Sequence, residues 1–465
     1  MLTTVRAFQT RVRRKVWQGL RPTTLGRHTG FYSTVCWGQP RVSISDAFDG
    51  GNIEVKDIVA TKENEYDVKL LIKPDVYTEL EQKSHFQSFA FRSTLSDVPA
   101  GVKSKVTYSI ENASSASYAV AWEDSTTCYT TNIADTNSWK RNLQTRYQDG
   151  KLVWAHEYDG SGSVYFSYFP LYTYTQHLEL ISKCARYATV TSLGQTIEGR
   201  EMDCVSIGHG ARVAWIIHRQ HPGENMAEYF AEGLLTRLLG LDCDGQVDGL
   251  VRRILQVYTF YIVPNMNPDG AIKGHLRTNA AGANLNREWC DSPGYPAPTL
   301  QNSPEVYWIL QAMQTTGVDV CLDVHGDEEL PYNFLSGSEE SKNWGPRLEA
   351  LHGAFLASYS RANPDMQVEF GYTPPAPGEA LPNIGTNAIA NRFNCLSVTL
   401  EMPFKDCWSN PDPERGWSPC RARKLGASAL DALAYIQPYL CREDEFWEEL
   451  LEEDAYVCPR ANYRD

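Results

Sequence analysis

The sequence predicts an α/β catalytic domain with a mixed central sheet flanked by helices, preceded by an antiparallel β-sandwich domain. Three observations predict it. Residues 42–167 alternate short β-prone segments with turn clusters such as Asp49-Gly50-Gly51-Asn52 and Asp159-Gly160-Ser161-Gly162, the spacing of a sandwich. From about Tyr168 strand-length apolar runs alternate with helical patterns, which suits a mixed or parallel sheet. The chain has 465 residues, 42% of them hydrophobic and 22% charged, the composition of a folded protein of two or three domains.

The expected order begins with a basic arm over residues 1–41. The sandwich follows over 42–167, with strands near 66–72, 86–92, 105–110, 118–122 and 152–155. The α/β domain spans 168–440, with strands near 213–218, 257–263, 318–323 and 397–399, all apolar enough to be buried on both faces. Pro222 suits the first turn of a helix through Ala227, Phe230, Leu234 and Leu238, ended by Gly240. Ser303-Pro304-Glu305 opens another, and a third runs over 424–436. Residues 441–465 form an acidic tail whose stretch 443–453 carries Phe446, Trp447, Leu450 and Leu451, the pattern of a terminal helix docked on the body.

Charge divides the same way. The chain holds 43 Lys+Arg against 57 Asp+Glu, net −14. Eight basic residues and no acidic one precede Asp46, so the remainder carries −22. A body this acidic excludes nucleic acid and anionic membrane as general partners. No run of about 18 apolar residues exists to span a membrane. The Arg-rich, acid-free arm has the composition of a mitochondrial presequence, and equally of a basic arm without an addressing role. Twelve cysteines at wide, irregular intervals, with no Cys-x-x-Cys, suit reduced thiols of an intracellular protein and leave any metal to His and carboxylates.

Four sites at predicted strand ends carry chemistry, the edge where open α/β sheets bind ligands. His221-Pro222-Gly223-Glu224 follows a strand and can aim a His and a carboxylate at one cation; alone, a helix-capping pair explains it as well. His325, in CLDVHGDEE, leaves the next strand and can supply a third ligand. Asn265 to Gly270 is turn chemistry, but Arg277 and Arg287 nearby suit a carboxylate or a developing oxyanion. Glu401 ends the strand SVTLE as either a salt-bridge partner or a general base. Asp327, Glu328 and Glu329 read as a solvated run.

In this order, HPGE, NPDG, NLNREW, DVHG and TLEMPFKD resemble the zinc metallocarboxypeptidase family, closest to its cytosolic carboxypeptidase branch, which includes tubulin deglutamylases. YTELEQKSHFQSFAFR and YFSYFP resemble that branch's preceding sandwich, and the likeness spans roughly residues 45–440. The resemblance implies one Zn2+ per chain on His221, Glu224 and His325, with the fourth position open to water. It implies that Glu401 is the general base, that Arg277 stabilises the oxyanion, and that Asn286 and Arg287 grip the substrate's α-carboxylate. The implied substrates are protein or peptide C-termini, with C-terminal or side-chain-linked glutamate, as on the acidic tails of tubulin. The implied location is cytoplasmic, or mitochondrial if the arm is a transit peptide.

Three departures from secreted relatives stand out. Gly223 replaces an Arg, Asn284 replaces an Asp that supports a zinc His, and Tyr372 is the one Tyr in the loop where a mobile catalytic Tyr is expected. An acidic body needs local cations to accept glutamate, and Lys273, Arg392 and Lys405 are candidates, Arg392 foremost. Two rival functions remain: an N-acyl-amino-acid hydrolase on the same fold, and a catalytically inactive module that binds acidic tails.

Overall fold

The computed structural model describes residues 41–76, 83–290 and 292–460, and the expectation for the basic arm lies outside them. The sandwich comprises two five-stranded sheets. One runs β1 (Arg41–Ser45), β4 (Ala90–Ser96), β10 (Gly162–Ser167), β6 (Thr127–Thr130) and β7 (Lys140–Asn142). The other runs β2 (Glu54–Lys62), β3 (Glu65–Leu71), β5 (Lys103–Ile110), β9 (Lys151–Asp159) and β8 (Arg146–Gln148). Burial alternates along β5, and the inward residues meet in an aromatic core where Trp154 stacks on Phe89 and Tyr108 at 5.9 and 5.4 Å.

Two expectations need correction here. The sandwich is not wholly antiparallel, because β3 and β5 pair parallel. The chain crosses to β4 in the opposite sheet between them and so re-enters in the same direction. Residues 118–122 are not a strand either. Tyr118 bonds through its N–H to the Gln87 side chain, and Ala119–Trp122 form a 3₁₀ turn that tucks the Trp122 indole onto the Ala113 carbonyl at 2.9 Å.

The second domain has a seven-stranded sheet: β11 (Thr189–Gln195), β12 (Glu201–Gly208), β14 (Tyr258–Val263), β13 (Arg212–His218), β15 (Val320–Val324), β17 (Leu396–Glu401) and β16 (Phe334–Ser336). The four strands from β14 to β17 are parallel, and the flanking strands are antiparallel. The helices are α1 (Tyr174–Cys184), α2 (Met226–Leu239), α3 (Gly249–Ile254), α4 (Pro268–Lys273), α5 (Pro304–Thr316), α6 (Pro346–Ala362), α7 (Gly385–Phe393) and α8 (Pro419–Ile436). Ala214 and Ile216 of β13 join a core with α2, α6 and α8 that continues into the sandwich. Trp215 and Ile217 face the other way, toward α5, α7 and residues 285–289. That alternation buries the sheet on both faces, as its continuous apolar runs require. None of the described helices is long and apolar enough to cross a membrane.

Helix α2 starts four residues later than Pro222, because residues 221–224 form a separate tight turn. Its end is as expected, with Gly240 in the left-handed region at φ 62°. The acidic tail docks, but as two 3₁₀ turns instead of a helix. Arg442 gathers Asp444 and Glu449 at 2.6 and 2.7 Å, acids that a straight helix would spread apart. Phe446 and Asp454 are buried, and Asp454 accepts from Arg361 and from Tyr435.

Helices α2 and α8 cross where Gly233 faces the Arg423 backbone and Gly426 faces the Phe230 carbonyl, closer than any Cβ could sit. Propensity alone would make Gly426→Ala stabilising by about 1 kcal/mol. We expect the opposite, a loss of roughly 1–3 kcal/mol from forcing the helices apart. Denaturant unfolding of the variant checks the sign.

Candidate metal centre

The parallel strands deliver their C-terminal ends to one edge. Chain reversal after β13 is abrupt: Arg219 adopts φ 58°, a left-handed conformation costly for a residue with a side chain. Its guanidinium compensates by donating to Pro222 O (3.0 Å), Tyr172 O (2.9 Å), Glu228 Oε2 (2.7 Å) and Asn225 Oδ1 (2.6 Å). This locks the turn that carries His221 and Glu224. Gly223 donates to Leu276 O, and a Cβ there would press on the Leu276 backbone. Glycine at this position therefore lets the segment carrying Arg277 pack directly on the metal turn, which explains the departure noted above.

His221, Glu224 and His325 are buried, with one donor atom from each lying within 4.8 Å of the others. His221 Nδ1 is 2.7 Å from Glu224 Oε1, and His325 Nδ1 is 2.9 Å from Glu224 Oε2 and 3.1 Å from His221 Nδ1. The outer ring nitrogens face acceptors. His221 Nε2 lies 3.2 Å from Asn284 Oδ1, and His325 Nε2 lies 3.0 Å from Asp323 Oδ1, the latter close but poorly aligned. Those acceptors place the ring protons on Nε2, which turns both Nδ1 lone pairs and a carboxylate toward one point. Only a cation satisfies three acceptors meeting in a buried space, and two His with one Glu is the donor set of a catalytic zinc site. Burial, with the nearby charge of Arg277, lowers the His221 pKa to about 4 and keeps its lone pair free. Burial would lower that of His325 too, but Asp323 and Glu224 hold it well above the usual value.

Other predicted residues gather around this triad. Glu401 is buried at the end of β17, its Oε2 without a protein partner. Burial, followed by the charges of Glu224, Asp327 and Glu328, raises its pKa well above the carboxylate range, against an opposing pull from His325. Tyr372 reaches the site: its hydroxyl donates to Asp327 Oδ2 at 2.6 Å and lies 3.3 Å from Glu401 Oε1, while the ring remains 40% exposed. Arg277 is half-buried and donates to the Tyr118 hydroxyl at 3.0 Å. Asn286 is oriented by Gly385 N–H at 2.8 Å, at the start of α7, and Arg287 Nη1 bonds the Asn286 carbonyl at 2.7 Å.

Arg392 is the correction. It is exposed in the last turn of α7, about 10 Å along the axis from Gly385. The chain enters β17 only after it, so Arg392 lies at the opposite end of the sheet from Glu401. The other two cations are engaged elsewhere: Lys273 pairs with Glu198 at 2.6 Å, and buried Lys405 donates to Glu123 O at 3.1 Å.

Sequence reasoning missed six contributors. Asp323 backs His325 and accepts from Gln220 Nε2 at 2.5 Å, while Gln220 Oε1 accepts from Trp289 Nε1 at 2.9 Å, linking the metal turn to the Asn286 segment. Asp75 of the sandwich accepts the N–H groups of Leu276, Arg277 and Thr278 at 2.6–2.9 Å. Tyr118 holds Arg277. The supposed solvated run is the remaining miss: Asp327 bonds Tyr372, and Glu328 is only 6% exposed. Placed three residues after a candidate ligand at a strand exit, Glu328 could have been suspected; Asp75 and Tyr118 offered no signal.

Comparison with known proteins agrees with this geometry. Residues 44–169 match the cytosolic carboxypeptidase N-terminal domain, and residues 172–404 match zinc carboxypeptidase. An uncharacterised protein of Zymomonas mobilis is 38% identical over 84% of this chain and 96% of its own length. Bovine cytosolic carboxypeptidase 3 is 24% identical over 66% of this chain, which spans only 31% of that longer protein. A metallo-carboxypeptidase of Pseudomonas aeruginosa, solved with (2-guanidinoethylmercapto)succinic acid, is 34% identical, with a TM-score of 0.76 over 86% of this chain and all of that one. A Burkholderia cenocepacia metallo-carboxypeptidase is 36% identical, with a TM-score of 0.76 over 85% of this chain and 98% of that one.

His221→Ala and Glu224→Gln each remove one of three converging donors. Both variants are expected to lose stoichiometric zinc by elemental analysis, and a normal zinc content in either would contradict the ligand set.

Proposed function

The chain belongs to the zinc carboxypeptidase family, a group of metal-dependent peptide hydrolases, and we propose that it removes single residues from peptide C-termini by the following division of labour. His221, Glu224 and His325 would hold zinc, which when bound would supply Lewis acidity for the scissile carbonyl and the attacking water. Glu401 takes the water's proton and returns it to the leaving amine. Its unpartnered, buried Oε2 beside the triad is the observation that carries this reading, since a structural carboxylate there would be paired. Arg277, steadied by Tyr118 and Asp75, stabilises the developing oxyanion. Asn286, its amide oxygen already held by Gly385, presents its Nδ2 with Arg287 to the substrate's α-carboxylate. Tyr372 orients Glu401 through their shared contact and closes the exposed side.

The terminal side chain is a finer question. The glutamate preference implied by the resemblance needs a cation beyond Arg277 and Arg287, and the engagements of Lys273 and Lys405 and the position of Arg392 give it no support. The ligand of the Pseudomonas relative joins carboxylates to a guanidinium, which supports a site here that accepts both charge types. Eleven free cysteines among the described residues support an intracellular setting.

Peptides ending in Glu, Asp, Lys and Phe, together with a branched glutamyl peptide, should each reveal by mass spectrometry whether one residue is released. Turnover of N-acyl amino acids without C-terminal trimming would favour the acyl hydrolase, and tight binding without turnover would favour an inactive binding module. Glu401→Gln should retain zinc while losing roughly 10²–10⁴-fold in kcat, the usual weight of a general base. Full activity in that variant would remove the mechanism.

A further inference from the structure

We propose that Glu328 is a specificity residue that receives a cationic side chain at the substrate residue just before the scissile bond. The inference rests on the carboxypeptidase reading above and deepens it.

Glu328 is a carboxylate that is 6% exposed; it is hydrogen-bonded by its own backbone N–H, but it has no hydrogen bond or ion pair with another side chain among the described residues. A buried carboxylate in that condition is costly unless something pairs with it. Its surroundings make the cost worse. Asp327 beside it repels it, and Glu224 does so wherever no metal neutralises that ligand. Arg277 eases it through its charge but forms no hydrogen bond with it, the guanidinium being turned to the Tyr118 hydroxyl. A fold that only needed to fill this space could use an apolar or amide residue.

The location says which part of a substrate would meet it. Asn286 and Arg287, beside the start of α7, hold the terminal carboxylate on one side of the triad. Glu328 belongs to the other side: it follows Asp327, which accepts from the Tyr372 hydroxyl beside Glu401, and its charge is felt by Arg277 and by Tyr118, which are bonded to each other. Tyr118 comes from the sandwich, so this wall is built jointly by both domains. A peptide gripped by its carboxylate, with its scissile carbonyl at the metal and Arg277, must send its preceding residue toward that wall. Lysine or arginine there would supply a direct partner of opposite charge, with Asp327 adding to the same field. Glutamate would face like charge.

The test uses acetylated tripeptides that differ only in the penultimate residue, Lys, Leu or Glu, each ending in whichever residue the full-length zinc enzyme releases best. We expect kcat/KM to favour Lys over Glu by about tenfold or more, mostly through KM, with the ratio shrinking as salt is raised. Glu328→Gln should bring that ratio close to one while zinc content stays normal. A wild-type ratio at or below one overturns the inference, and so does a ratio unchanged in Glu328→Gln. Should Glu328→Gln fail to fold, the wild-type ratio and its salt dependence still decide. Equilibrium binding of the Lys and Glu peptides to zinc-loaded Glu401→Gln reads the same preference without turnover. Absence of cleavage in any peptide would therefore count against the peptidase reading, and equal binding of the two peptides against Glu328.

Discussion

Two imidazole nitrogens and a carboxylate, each turned lone pair first toward the others, repel unless a cation sits among them. His221, Glu224 and His325 are held in that arrangement by groups that leave them no easy alternative. Asn284 and Asp323 occupy the outer nitrogens, so neither ring can flip without losing its partner. Water could relieve the conflict in an open site, but all three side chains are buried. Much of the surrounding architecture makes sense as the apparatus that keeps this unfavourable convergence in place.

The apparatus is a buried ion network behind the metal turn. Arg219 adopts a left-handed backbone that costs about 1–2 kcal/mol, and four hydrogen bonds from its side chain offset that cost. Glu228 anchors it and accepts as well from His177 and Asn265. Burial opposes the charge on His177, yet Asp203 and Glu228 push its pKa up to about 9, so the cluster sets two cations against two carboxylates. The sandwich contributes from the other side. Asp75 fixes the backbone around Arg277, and Arg141 donates to the Phe404, Arg415 and Trp417 carbonyls, three to sixteen residues beyond Glu401. The first domain is thus part of the site's wall and scaffold, which accounts for a core that runs without interruption from one domain into the other.

What could be seen in the sequence followed from how each feature is encoded. The central strands were visible because burial on both faces demands unbroken apolar runs, and the ligands because they stand at the ends of those runs. Residues 118–122 misled because an aromatic, β-branched segment satisfies a buried 3₁₀ turn as well as a strand. Glu328 and Asp327 looked like surface charge because polarity in a sequence does not report burial. Arg392 was chosen for nearness in sequence to the strand of Glu401, but a strand advances about 3.3 Å per residue, so the two ends of β17 serve different edges of the sheet. Asp75 and Tyr118 come from a separate domain, and only tertiary structure brings them to Arg277.

The same distinction governs the charge argument. A net charge of −14 describes the field far from the molecule, where salt screens it within a Debye length of about 8–10 Å. A substrate in the site is closer than that to individual groups. There, on the proposed reading, Arg287 and Arg277 offer positive charge for a carboxylate and an oxyanion, while Glu328 and Asp327 offer negative charge on another side of the site. A chain with an acid at its end and a base just before it satisfies both, whereas an unbroken glutamate chain satisfies only the first. The polarity of the pocket, rather than the acidity of the protein, is therefore what should orient and select a peptide.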